Sequence, residues 1–137
     1  MATTHFTLAY WCILFTALLP FGCAGLAKFG AMRSQPRQER YDNNHPRAWL
    51  GRQTDWRGRA NAAQANTFEA LPFFFAAVVV AHQLQANQAR LDLLAVGFVV
   101  LRVVYAGLYV SNHANARSLV WVLALAVNIG ILFSGFR

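Results

Sequence analysis

Apolar residues in this chain come in long unbroken blocks, with the polar residues crowded between them. The first block covers residues 6–27 and holds no charged side chain. It meets the roughly 20 helical residues needed to cross a bilayer core of about 30 Å. Pro20 is expected to kink it, and Lys28 and Arg33 mark its end. A polar stretch over 34–56 follows, punctuated by Pro36, Pro46 and Gly51, and reads as a solvated loop. The pattern predicts helices over about 6–32, 57–83, 90–110 and 116–136. The second has a small, polar lower half over 60–66 and an apolar upper half that contains Pro72. Turns as short as those near 83–90 and 111–116 make the last three helices antiparallel neighbours. The expected fold is all-α: one domain over 1–137, built as an integral membrane four-helix bundle.

Composition identifies the solvent outside the bundle. Only 12% of residues are charged and 57% are hydrophobic, whereas a soluble domain carries about 25% charged residues. The outer faces are therefore expected to meet lipid. The formal net charge of +7 is concentrated in arginines between residues 33 and 59, between two apolar blocks. This reads as a cytoplasmic loop under the positive-inside rule, lying near anionic headgroups, and argues against nucleic acid as a partner. Both termini then lie on the non-cytoplasmic side. No Lys or Arg precedes the first block, so it reads as a retained helix and not a signal peptide. Cys12 and Cys23 fall on that one helix, about 16 Å apart along its axis, too far for a disulfide and without metal-site spacing.

Polar side chains inside apolar spans are costly and normally face a bundle interior or a wet cavity. On the second helix Arg59, Asn66, Glu69 and Phe73 share one stripe; on the third, Arg102, Tyr105 and Tyr109 do. Arg117, Ser118 and Trp121 gather at the start of the fourth. Glu69 and Arg102 lie furthest from helix ends, so a mutual ion pair is expected, with Asn66 beside it; that pair either belongs to a site or only fixes helix register. Arg59, Arg102 and Arg117 offer planar donors for carboxylates, and Tyr105, Tyr109 and Ser118 offer hydroxyls. Together they suit a small polycarboxylate held between helices, with an Arg or Ser able to stabilise a bound thiolate. The plainer alternative for Arg59 and Arg117 is snorkelling to headgroups. His82 is expected to cap a helix or sit at the interface, His113 lies in a turn on the site side, and Asn128 is expected to bond across helices. Trp11, Trp49, Trp56 and Trp121 suit membrane-interface positions.

These residues resemble the MAPEG family, the membrane-associated proteins in eicosanoid and glutathione metabolism. The similarity rests first on Arg59-Ala60 followed by Ala63-Gln64-Ala65-Asn66-Thr67-Phe68-Glu69-Ala70-Leu71-Pro72-Phe73. Tyr41-Asp42-Asn43-Asn44-His45-Pro46-Arg47 is similar to the loop of bacterial members, Arg102, Tyr105 and Tyr109 to the third helix, and Arg117-Ser118 to the start of the last. The resemblance implies a homotrimer with glutathione between subunits near the cytoplasmic side, in a bacterial inner membrane. It implies that Arg59, Asn66, Glu69, Arg102, Tyr105 and Tyr109 contact glutathione. It implies that Arg117 activates the thiol, with Ser118 beside it. The chain departs from the eicosanoid synthases at Ala62 and Ala65, where they carry cations, at Tyr105, where one branch has His, and at Trp121.

Three functions follow as expectations. One is a glutathione-dependent transferase or peroxidase acting on a lipophilic small molecule that enters from the bilayer. The second is a non-catalytic lipid-binding or scaffold protein of the same fold, which Ala62 and Ala65 favour. The third, a transporter or channel, is disfavoured because the polar residues gather toward one membrane face instead of lining a full path.

Overall fold

The computed structural model describes residues 5–34 and 36–136. Four long helices, each long and apolar enough to cross a membrane, form an all-α bundle: α1 (Leu8–Ser34), α3 (Trp56–Gln83), α4 (Gln88–Val110) and α5 (Ala114–Leu132). A short helix α2 (Pro46–Gly51) interrupts the first loop. α3 and α4 are central: α1 packs across both, α5 packs across both, and among the described residues α1 and α5 do not meet.

Local chemistry explains where the helices begin. Asp55 precedes α3 and its side chain accepts from the Arg57 backbone N–H, which satisfies one of the orphan donors of the first turn. The same carboxylate pairs with the Arg57 guanidinium at 2.9 Å. Asn87 does the same for α4, accepting from Arg90 N. The first turn of α1 is capped by another helix: Asp92 Oδ1 accepts from Ala9 N at 2.9 Å and from Gln88 Nε2 at 2.8 Å. Near it Thr7 Oγ1 bonds His82 Nε2 at 2.9 Å, and Tyr10 stacks on the His82 ring at 4.1 Å. His82 thus ties α1 to α3. α5 closes at Leu132 instead of continuing to 136, because the chain turns at Phe133 and Gly135 packs against Leu84.

The core differs between the two halves of the bundle. Toward the Asp92 end it is large and apolar, with Phe74 and Phe98 stacked at 4.2 Å among Val78, Leu91 and Ile131. Toward the other end it shrinks to Cys23, Ala63 and Ala106 with Tyr109 against them. Small residues bring helix backbones close, and here they leave the remaining space to polar side chains.

The first loop is folded, not simply solvated as its composition suggested. Trp49 is buried, its Nε1 donates to the Glu39 carbonyl, and Tyr41 meets it edge-on at 5.2 Å. Lys28 lies 4.8 Å over the Tyr41 ring, which ties the loop to α1. The Arg33 side chain, expected to mark the end of the span, lies outside the described residues.

Candidate functional site

Two adjoining clefts open among α3, α4 and α5, and most of the polar residues singled out above line them. The outer cleft, of about 290 Å³, is lined by Asn66, Tyr105, Tyr109, Arg117, Ser118 and Trp121 among others. The deeper one, of about 180 Å³, adjoins it at Asn66 and Trp121, which line both. Its walls include Glu69, Phe73, Phe98, Arg102 and Asn128. A larger crevice in the loop around Trp49 and Asp55 shares none of these residues.

The cations of the site sit on aromatic faces. The Arg102 guanidinium lies 4.4 Å from the Tyr105 ring centre and that of Arg117 lies 3.9 Å from the Tyr109 ring. The two tyrosines meet edge to face at 5.7 Å. An Arg–Tyr–Tyr–Arg ladder therefore runs along α4 to the start of α5. Stacking of this kind holds a planar guanidinium in place while leaving its edge donors for a ligand.

Arg102 is 2% exposed, and the structure shows how the charge is tolerated. Nη2 donates to Asn66 Oδ1 at 3.0 Å and to Thr67 Oγ1 at 3.2 Å. The expected ion pair with Glu69 is not made. Asn66 and Thr67 lie three and two residues earlier on α3 and take the guanidinium, and Glu69 has no hydrogen bond or ion pair among the described residues. Thr67 was missed in the sequence; its only signal was a hydroxyl inside an apolar span. Its hydroxyl also donates to Ala63 O at 2.7 Å.

Arg59 departs from the stripe assigned to it. Its Nε donates to the Val110 carbonyl at 2.8 Å, satisfying an orphan acceptor at the C-terminus of α4, and it lines neither cleft. Arg117 does not simply extend to headgroups, since it stacks on Tyr109. Ser118 is exposed and donates back to Ala114 O at 3.1 Å. His113 bonds Ser111 in an exposed turn, outside both clefts. Asn128, expected to bond across helices, makes no hydrogen bond among the described residues, and its Oδ1 is buried without a partner. Trp49 is buried within the loop, and Trp121 walls both clefts.

Fold and site together define an integral membrane bundle with polar clefts set between three of its spans, toward the end where the folded loop lies. The chain belongs to the MAPEG family, whose sequence pattern matches residues 8–137. That family includes glutathione-dependent transferases and peroxidases as well as members without catalytic activity. Comparison with curated proteins and with solved structures gives no match.

Proposed function

We propose that this protein is a membrane-embedded, glutathione-dependent transferase or peroxidase that acts on a lipophilic electrophile. The observation that carries the reading is Arg117, stacked on Tyr109 and lining a cleft with Ser118, Asn66 and Tyr105. When bound, glutathione supplies a thiol as nucleophile or reductant. A guanidinium beside that thiol favours its charged form, and the Ser118 hydroxyl can donate to the same sulfur. Arg102 and Arg117 suit its carboxylates, and the unpaired Glu69 carboxylate suits its amino group. The donor set therefore fits the molecule.

Each cleft is smaller than the roughly 300–1,000 Å³ of a typical ligand site, at about 180 and 290 Å³. Glu69 and Ser118 are also exposed on the single chain. Both points favour a site completed by a second subunit, as in a homotrimer. The basic loop, with exposed Arg37, Arg47 and Arg52, favours a cytoplasmic face for this end of the bundle in a bacterial inner membrane. Thiolate absorbance on adding glutathione to the purified protein tests the reading. It is expected in the wild type and lost in Arg117→Ala, with the protein still folded. A wild type that forms no thiolate removes the proposal.

A second reading, a non-catalytic lipid-binding member, is favoured by Arg59. That cation is engaged on the α4 terminus and adds nothing to the clefts. Lipid that co-purifies with protein lacking glutathione affinity would support it.

A further inference from the structure

Arg117 stands where an arginine is hard to hold. It lies in the first turn of α5, just past an exposed turn, at an end of the bundle where a long cationic side chain can reach headgroups and water. Its guanidinium has no hydrogen bond or ion pair among the described residues. What fixes it at the cleft is the Tyr109 ring, whose centre lies 3.9 Å away. A ring face attracts a cation through its quadrupole and uses none of the N–H donors at the guanidinium edge. An ion pair with a neighbouring carboxylate would occupy those donors.

The ring is itself held from several sides. Tyr109, in the last turn of α4, packs on Cys23 of α1, Ala63 of α3 and Ala106 of α4. It meets Tyr105 edge to face at 5.7 Å, and Tyr105 is only 4% exposed. The turn after it sets where α5 begins. Asn112 takes a left-handed φ of 64°, its N–H donates to Tyr109 O at 3.2 Å, and His113 N–H donates to Leu108 O at 2.9 Å. This paired cap closes α4 in a fixed way. Arg117 N then donates to His113 O at 2.9 Å, which places the arginine backbone relative to the ring.

We infer that Tyr109 is a positioning residue for Arg117: its ring face keeps the guanidinium at the cleft and away from headgroups, and its hydroxyl is dispensable for this. The inference rests on the functional reading above for what Arg117 does to a bound thiol. It deepens that reading by naming what sets the strength of the effect. An Arg117 released from the ring spends part of its time among headgroups, and the thiol beside it then ionises at higher pH.

Two readouts on the full chain in lipid nanodiscs test this, and the first needs no glutathione. The Arg117 side-chain protons, assigned by NMR through their loss in Arg117→Ala, are expected upfield of ordinary arginine positions, because they lie over a ring face. Tyr109→Phe keeps that shift and Tyr109→Leu removes it. The second readout is thiolate absorbance titrated against pH at saturating glutathione. Tyr109→Phe is expected to keep the wild-type midpoint, whatever the lost hydroxyl does to affinity. Tyr109→Leu is expected to raise it by about half to one pH unit, the size of a cation–π contact. A wild type without the upfield shift overturns the inference, and that result needs no variant that might fold poorly. An upfield shift that survives Tyr109→Leu overturns it as well. So does a thiolate midpoint that Tyr109→Leu leaves in place, or that Tyr109→Phe raises just as far. A wild type that forms no thiolate, while the upfield shift follows the expected pattern, supports the positioning role and removes the transferase reading.

Discussion

Arg102 illustrates how a guanidinium persists inside a bilayer span without a counter-ion. It relies on neutral acceptors, Asn66 and Thr67, and on the Tyr105 face. A paired carboxylate would add attraction but also a second desolvation penalty, and the chain instead keeps Glu69 free beside the cleft. Thr67→Val keeps the shape and removes one of the two acceptors. We expect it to cost about 1–3 kcal/mol, read as a lower unfolding midpoint in detergent; an unchanged midpoint would show that Arg102 does not depend on this bond. Arg117→Ala should leave that midpoint close to wild type, because Arg117 is half-exposed and bonds no other helix through its edge. The two arginines therefore separate stability from chemistry. The arginines, Asn66, Glu69 and both tyrosines were legible in the sequence because charge and amide stand out against an apolar background. Thr67 and the unpartnered state of Asn128 were not, because a hydroxyl or amide in a membrane helix usually bonds within its own helix or a neighbour.

Between elements, close approach depends on what a side chain would displace. A Cβ on Gly30 would collide with the Trp56 ring, so the packing of α1 on the start of α3 leaves no room for a side chain at residue 30. Gly30→Ala is expected to destabilise by about 1–3 kcal/mol, the usual cost of overpacking. In a Trp56→Ala background the same change should be nearly neutral, and a double-mutant cycle on unfolding free energies reads that coupling. The opposite end of α1 is held by Asp92, which supplies a cap from α4. Asp92→Ala should cost about 1 kcal/mol, typical of a lost N-cap. It should also raise hydrogen exchange in the first turn of α1 but not in α5, which does not meet that helix among the described residues. Helix positions followed from hydropathy and turn residues. The cap of α1 did not, since its acceptor lies far along the chain.

For the whole molecule, the asymmetry of charge sets the expected orientation. Asn43 is exposed in the folded loop, while Cys12 and Cys23 are buried. A membrane-impermeant maleimide should therefore react with Asn43→Cys from the cytoplasmic side of inverted vesicles and leave the wild-type chain unlabelled. Labelling from the opposite side would reverse the topology argued from the arginines. The placement of α5 matters as well. It packs on α3 and α4 but leaves Leu119, Val122, Leu123 and Ile129 exposed, faces suited to lipid or to a second copy of the chain. Chemical cross-linking in native membranes that yields species no larger than a monomer would argue against a site shared between subunits.

What the sequence determined alone is the solvent and the spans. Runs of apolar residues long enough to cross a bilayer, too few charges for a water-facing surface and one arginine-rich loop leave little alternative to a membrane bundle, because unpaired backbone and charge are so costly in lipid. It also named most of the cleft-lining polar residues, since helical periodicity fixes which of them share a stripe. Only the tertiary structure decided how they pair: Arg102 with Asn66 and Thr67, Arg59 with the end of α4, Glu69 and Asn128 with no partner among the described residues. Periodicity gives the direction of a side chain around its own helix, whereas hydrogen bonds depend on the relative height and rotation of neighbouring helices. Those are set by how small residues such as Ala63 and Ala106 let the backbones approach.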